Sequence, residues 1–155
     1  MSSDNQADNN LGQASRELTI LPNIQGIDLN VGLEITQNNE HLYKKMLIRF
    51  LESQSSFSEK FTSALQNNNY KECYHLAHSL KGASSCLGIY EVYENSGVLE
   101  TECKNEGGNL KSVFNQVESK LQYILKELKK WQKRECGQEE EVPPINYTKN
   151  NLKTV

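Results

Sequence analysis

The sequence predicts an all-α protein, an antiparallel up-down four-helix bundle with a short extra helix at its N-terminal end. Three observations predict it. Apolar residues recur every three or four positions through the middle of the chain, as they do along one face of a helix with 3.6 residues per turn. No stretch of useful length alternates apolar and polar residues in the manner of a half-buried strand. Glycine and proline, the residues that most often end helices, are missing between Gly32 and Gly82.

The elements follow in order. Residues 1–20 are rich in Ser, Asn, Asp and Gln, bury too little to offset chain entropy, and are expected to form a disordered tail. The folded part is expected over residues 24–134. A short first helix starts with Asp28 as its N-cap and runs through Leu29, Leu33 and Ile35. A long second segment starts near Asn39 and carries Tyr43, Met46, Leu47, Phe50, Phe57, Phe61 and Leu65 at helical spacing. Its polar residues 52–56 are the place for a kink, and Asn67-Asn68-Asn69 ends it. The third helix spans about residues 70–87, with Cys73, Leu76, Leu80, Ala83 and Leu87 drawing one buried stripe and Gly88 stopping it. The fourth, about residues 89–105, buries Val92, Ser96, Leu99 and Cys103 before the turn at Gly107-Gly108. The last is the most regular: Leu110, Phe114, Val117, Leu121, Ile124, Leu128 and Trp131 form a core stripe, not a cofactor surface. Residues 137–155 contain the acidic run Glu139-Glu140-Glu141 and the pair Pro143-Pro144, which forbids helix, and are expected to be a flexible tail.

Composition narrows the function. A chain of 155 residues fits one domain with tails, and a mean hydropathy of −0.70 is lean enough that part of it lies outside the core. The net charge of −3 lacks the basic footprint of nucleic-acid binding. No apolar run reaches the roughly 18 residues needed to cross a bilayer, and the polar N-terminus does not resemble a signal peptide, so a cytoplasmic protein is expected. Cys73, Cys86, Cys103 and Cys136 form no CxxC pair and read as buried or incidental thiols. Neither GxGxxG nor GxxxxGK[ST] occurs, so nothing supports nucleotide binding, and no cofactor is expected.

The chemistry concentrates on the third helix. At 100° per residue His78 lies about 200° from Leu76 and from Leu80, so the apolar stripe turns it toward solvent. Lys81 and Gly82, at i+3 and i+4, share its face. A neutral imidazole is a nucleophile at neutral pH, and phosphorylating it adds negative charge that Lys81 would offset. A mid-helix glycine costs about 1 kcal/mol relative to alanine, and clearance beside the imidazole is a reason for Gly82. Ser79 and Ser85 are placed to add hydroxyl hydrogen bonds. His75, one turn back, reads as a surface residue. It makes only a weak metal pair with His78, having no neighbouring ligand, and no metal site is expected. His41 also reads as a surface residue.

The stretch Ala77-His78-Ser79-Leu80-Lys81-Gly82-Ala83-Ser84-Ser85-Cys86-Leu87-Gly88 resembles the signature of histidine-containing phosphotransfer (HPt) domains, approximately A-H-x-L-K-G-x-x-x-x-L-G. Residues 27–33 resemble the family's lead-in helix, residues 40–50 its second-helix motif, and Leu99-Glu100 the Leu-Glu pair of its next helix. The resemblance covers about residues 24–130. Ser84-Ser85-Cys86 departs from it mildly, since many members carry smaller residues there. It implies His78 as phosphoacceptor, Lys81 assisting the phosphoryl group, Gly82 giving clearance, and Glu100 near the histidine. It also implies a carrier in a two-component phosphorelay, for which a monomer is the default expectation. Such a carrier takes phosphate from a receiver-domain phosphoaspartate, such as that of a hybrid sensor histidine kinase, and passes it to another receiver, the receivers supplying Mg²⁺. Helix geometry puts Tyr74, His75, Lys81, Gly82 and Ser85 around His78 as a docking surface, joined by exposed apolar residues of the first helix such as Ile35, and Ser79 and Glu100 are also expected to meet the partner. The alternatives are a non-phosphorylated helical adaptor for receiver or kinase domains, and a fragment of a hybrid kinase.

Overall fold

The computed structural model describes residues 21–137. The expected tails, residues 1–20 and the acidic and proline-rich stretch after Gly137, lie outside the described residues. Among the described residues six α-helices follow one another: α1 (Leu29–Ile35), α2 (Glu40–Gln54), α3 (Phe57–Gln66), α4 (Tyr70–Leu87), α5 (Tyr90–Asn105) and α6 (Leu110–Gln132). A π-helical turn, Lys133–Gly137, ends the described chain. Three helices begin where a short polar side chain can cap them. Asp28, Asn39 and Asn69 each accept a hydrogen bond from a first-turn amide, those of Asn30, Leu42 and Glu72.

The long second segment expected from the sequence is two helices rather than one kinked one. Ser53 and Ser55 turn their hydroxyls back onto the carbonyls of Phe50 and Leu51, the local bonding by which serine competes with helix continuation. Phe57 then restarts the helix and is buried, with Phe61 stacked on Phe114 of α6 at 4.5 Å. Together α2 and α3 form one bent arm of an antiparallel bundle whose other arms are α4, α5 and α6. The short links between α3, α4, α5 and α6 make sequence neighbours antiparallel neighbours in space.

The core runs the length of the bundle, and all seven residues of the α6 stripe are in it. Helix α4 differs from the expected stripe. Its buried ridge is Cys73, Ala77, Leu80, Ser84 and Leu87, while Leu76 and Ala83 are half-buried flanks. The small Ala77 and Ser84 let α5 approach closely, which is why the ridge is rotated toward them. Ser84 satisfies its hydroxyl on the carbonyl of Leu80. Ile89, expected as the first residue of the fourth helix, instead precedes α5. It is fully buried and pairs with Ile27 in an isolated antiparallel bridge.

The lead-in segment is pinned to the end of α4. Gly88 adopts φ +77°, and a β-carbon there would lie 2.2 Å from the carbonyl oxygen of Asp28. The Asp28 amide returns a hydrogen bond to the Gly88 carbonyl at 2.8 Å. At Gly32 a β-carbon would meet the Tyr43 ring, whose hydroxyl donates to the Leu87 carbonyl at 2.7 Å. At the other end of the chain, Lys44 of α2 pairs with Glu135 of the π-helical turn at 2.8 Å.

Candidate functional site

Helix α4 presents His78 to solvent, because the ridge through Ala77 and Leu80 faces the core. The His78 side chain is 63% exposed. It is not free, however. The antiparallel packing of α4 on α5 brings Glu100, 22 residues away in sequence, alongside it. One carboxylate oxygen of Glu100 bonds Nδ1 of His78, and the other accepts a hydrogen bond from Nζ of Lys81 at 3.0 Å. Lys81 follows His78 by three residues, less than one helical turn, so a single two-oxygen group on α5 reaches both.

The electrostatics assign the proton. The hydrogen bond from His78, helped by that from Lys81, holds the Glu100 carboxyl below its ordinary value of 4.5, against the opposing effect of burial. Glu100 is therefore ionised at neutral pH and can only accept, so Nδ1 carries the hydrogen. In the neutral imidazole that leaves the lone pair on Nε2. The same contact raises the Lys81 ammonium above its ordinary value and keeps it cationic.

Space is arranged around these charges. Nothing lies within 4 Å of where a Gly82 β-carbon would be, so the clearance expected beside His78 is present. Gly97 on α5 serves differently: the aliphatic stem of Lys81 runs 3.9 Å from its β-carbon position, so the stem lies across this glycine. Gly97 escaped the sequence reading, because its signal is a small residue three positions before Glu100, meaningful only once α4 and α5 are in register. Tyr74, expected simply as part of a docking surface, is half-buried and stacks on the His78 ring. His75, Ser79 and Ser85 are exposed as expected, as is Ile35 on the last turn of α1 at 51%. Ser85 lines a shallow apolar groove with Val31, Gly88, Tyr90 and Tyr93. Among the described residues no hydrogen bond joins Ser79, Ser85 or Ile35 to His78, and no group of three or more His, Cys, Asp or Glu is placed to hold a metal ion.

The fold and the site together define a class: an all-helical bundle that displays an exposed imidazole, bonded by a carboxylate that also holds a lysine. Comparison with known proteins makes the class specific: the Hpt domain family model matches residues 45–131, more than half of the chain, and the chain belongs to that family. Among solved structures it is similar to histidine-containing phosphotransfer protein B (HptB) from Pseudomonas aeruginosa PAO1. The two superpose with a TM-score of 0.62 at 22% identity, over 71% of this chain and 96% of that one. At that identity the likeness speaks to the fold. No curated protein matches the sequence significantly. Among the described residues no helix is long and apolar enough to cross a membrane.

Proposed function

We propose that this Hpt-family chain is a covalent phosphohistidine carrier whose acceptor is Nε2 of His78. The Glu100 bridge carries the reading: it binds His78 and Lys81 with separate oxygens on an exposed face beside the open space at Gly82. An incidental surface histidine has no use for that arrangement.

The neutral ring attacks the phosphorus of a receiver-domain phosphoaspartate. The Nε2–P bond forms as the P–O bond to the aspartyl carboxylate breaks, and the carboxylate departs with the electron pair. The ring keeps its Nδ1 hydrogen and becomes cationic, and Glu100, already ionised, stabilises that charge. Lys81 stands next to the incoming phosphoryl oxygens. The reverse sequence delivers the group to a second receiver. Phosphoryl transfer is dominated by positioning and charge stabilisation, so a carrier with no nucleotide site of its own suffices once the receiver brings its carboxylates and Mg²⁺. The partners on this reading are receiver domains, including that of a hybrid sensor kinase. They engage a cytoplasmic monomer through a modest, transient interface around His75, Ser79, Ser85 and Ile35.

The test is transfer from a phosphorylated receiver, scored as acid-labile, alkali-stable phosphate. His78→Gln abolishes labelling and His75→Gln keeps it. Labelling that survives the first change but not the second moves the acceptor to His75. Labelling absent from the wild-type chain across a panel of receivers supports a non-phosphorylated adaptor.

A further inference from the structure

Glu100 fixes one edge of the His78 ring but not its plane: a single hydrogen bond to Nδ1 allows the imidazole to swing about it. The structure supplies a second restraint. Tyr74, one turn before His78 on α4, lies nearly parallel to the imidazole, with 5.8 Å between ring centroids and 15° between planes, within the range of offset aromatic stacking. Tyr74 is itself held. It is half-buried and packs against the hydrophobic core, and His75 meets its ring edge-on at 5.7 Å and 68°. A core-anchored ring therefore backs an exposed one.

On the reading that His78 is the phosphoacceptor, we propose that Tyr74 is a positioning residue: its ring fixes the plane of the imidazole while Glu100 fixes its edge, so that Nε2 is aimed before any partner arrives. This differs from the role of docking contact that its place on the helix suggested. The stack needs the aromatic face and not the hydroxyl, because no hydrogen bond from the Tyr74 hydroxyl contributes to holding His78.

The two roles separate when the phosphodonor has no docking surface. Phosphoramidate serves: Nε2 attacks its phosphorus, the P–N bond breaks and ammonia leaves. With the full-length chain and phosphoramidate, Tyr74→Phe labels His78 at the wild-type rate, whereas Tyr74→Leu slows labelling roughly three- to ten-fold with helicity unchanged. In proton NMR of the wild-type chain, the His78 ring protons are shifted upfield of those of exposed His41 by the Tyr74 ring current. The shift persists in Tyr74→Phe and vanishes in Tyr74→Leu. The wild-type spectrum keeps the proposal open to refutation even where the Leu variant folds poorly, since an unshifted His78 overturns it. Wild-type labelling of a folded Tyr74→Leu chain by phosphoramidate, with slower transfer only from a receiver, also overturns it and makes Tyr74 a docking contact. If His78→Gln still labels with phosphoramidate, the acceptor assignment itself falls and Tyr74 with it. If His78→Gln abolishes labelling and Tyr74→Leu does not slow it, only the role of Tyr74 falls.

Discussion

Gly82 lies within α4 and Gly88 caps its end, and a methyl group would do opposite things at each. At Gly88, the left-handed end of α4, it would strike the Asp28 carbonyl. At Gly82, in mid-helix, it would meet nothing. The end of α4 is filled by the protein's own backbone, and its glycine is explained by the fold alone. The middle is left empty, and its glycine is explained only by something the chain does not contain. Between them they divide α4 into a region whose shape stability dictates and a region whose shape a partner or a phosphoryl group dictates.

The largest effect expected from this contrast is at the filled end. Gly88→Ala combines a positive φ with a backbone clash and is expected to cost on the order of 3 kcal/mol, read as a lower urea midpoint at unchanged m-value. Gly82→Ala is expected to change stability with the opposite sign, raising it by up to about 1 kcal/mol through helix propensity. It should nonetheless slow phosphoryl transfer from a receiver by roughly ten-fold. Were Gly82→Ala to transfer at the wild-type rate, the empty space would have lost its explanation and the contrast would collapse.

Chemical denaturation against pH sharpens the electrostatic side. The folded state holds the Glu100 carboxyl below its ordinary value, so its contribution to stability is fully present above that value and is lost as pH falls through the lower, folded-state one. The stability advantage of wild type over Glu100→Gln should accordingly shrink on acidification below about pH 4.5. An advantage that instead grows below that pH would mean that the carboxylate is not stabilised by His78 and Lys81. The smallest expected effect contrasts buried thiols with an exposed one. Cys73 is buried with its thiol pushed up by desolvation, and Cys103 is pushed up to about 12 by the same cause, whereas Cys86 is exposed. Alkylation of the native protein, mapped by mass spectrometry, should modify Cys86 well before Cys73 and Cys103, which react only on unfolding.

How much of this was legible follows from what kind of signal each residue carries. The α6 stripe, the cap at Asp28, the helix start near Asn39 and the stop at Gly88 are local and strong, and they read correctly. The rotation of the α4 ridge onto Ala77 and Ser84 did not, because a small residue and a hydroxyl are invisible to an apolar pattern. They become core only when a neighbouring helix presses on them. The split between α2 and α3 was readable as a kink, since serines lie at the break, but its completeness depends on hydroxyls turning inward. At the site, His78, Lys81 and Gly82 share one helix face and were accessible from spacing. The convergence of Glu100 on both His78 and Lys81, and the bed that Gly97 makes for the Lys81 stem, depend on the register of α4 against α5. The Tyr74 stack depends on two side-chain rotamers. Neither is written in a period of 3.6.

The exposure of His78 has a consequence for time. On the proposed function, a phosphoryl group on its Nε2 would sit in open water, with no loop among the described residues folded over it. Its lifetime would then be set by the hydrolysis of a phosphoimidazole rather than by the protein. A message held there would decay on a clock that belongs to the chemistry of the bond, and the chain could lengthen the message's reach only by meeting its next partner sooner.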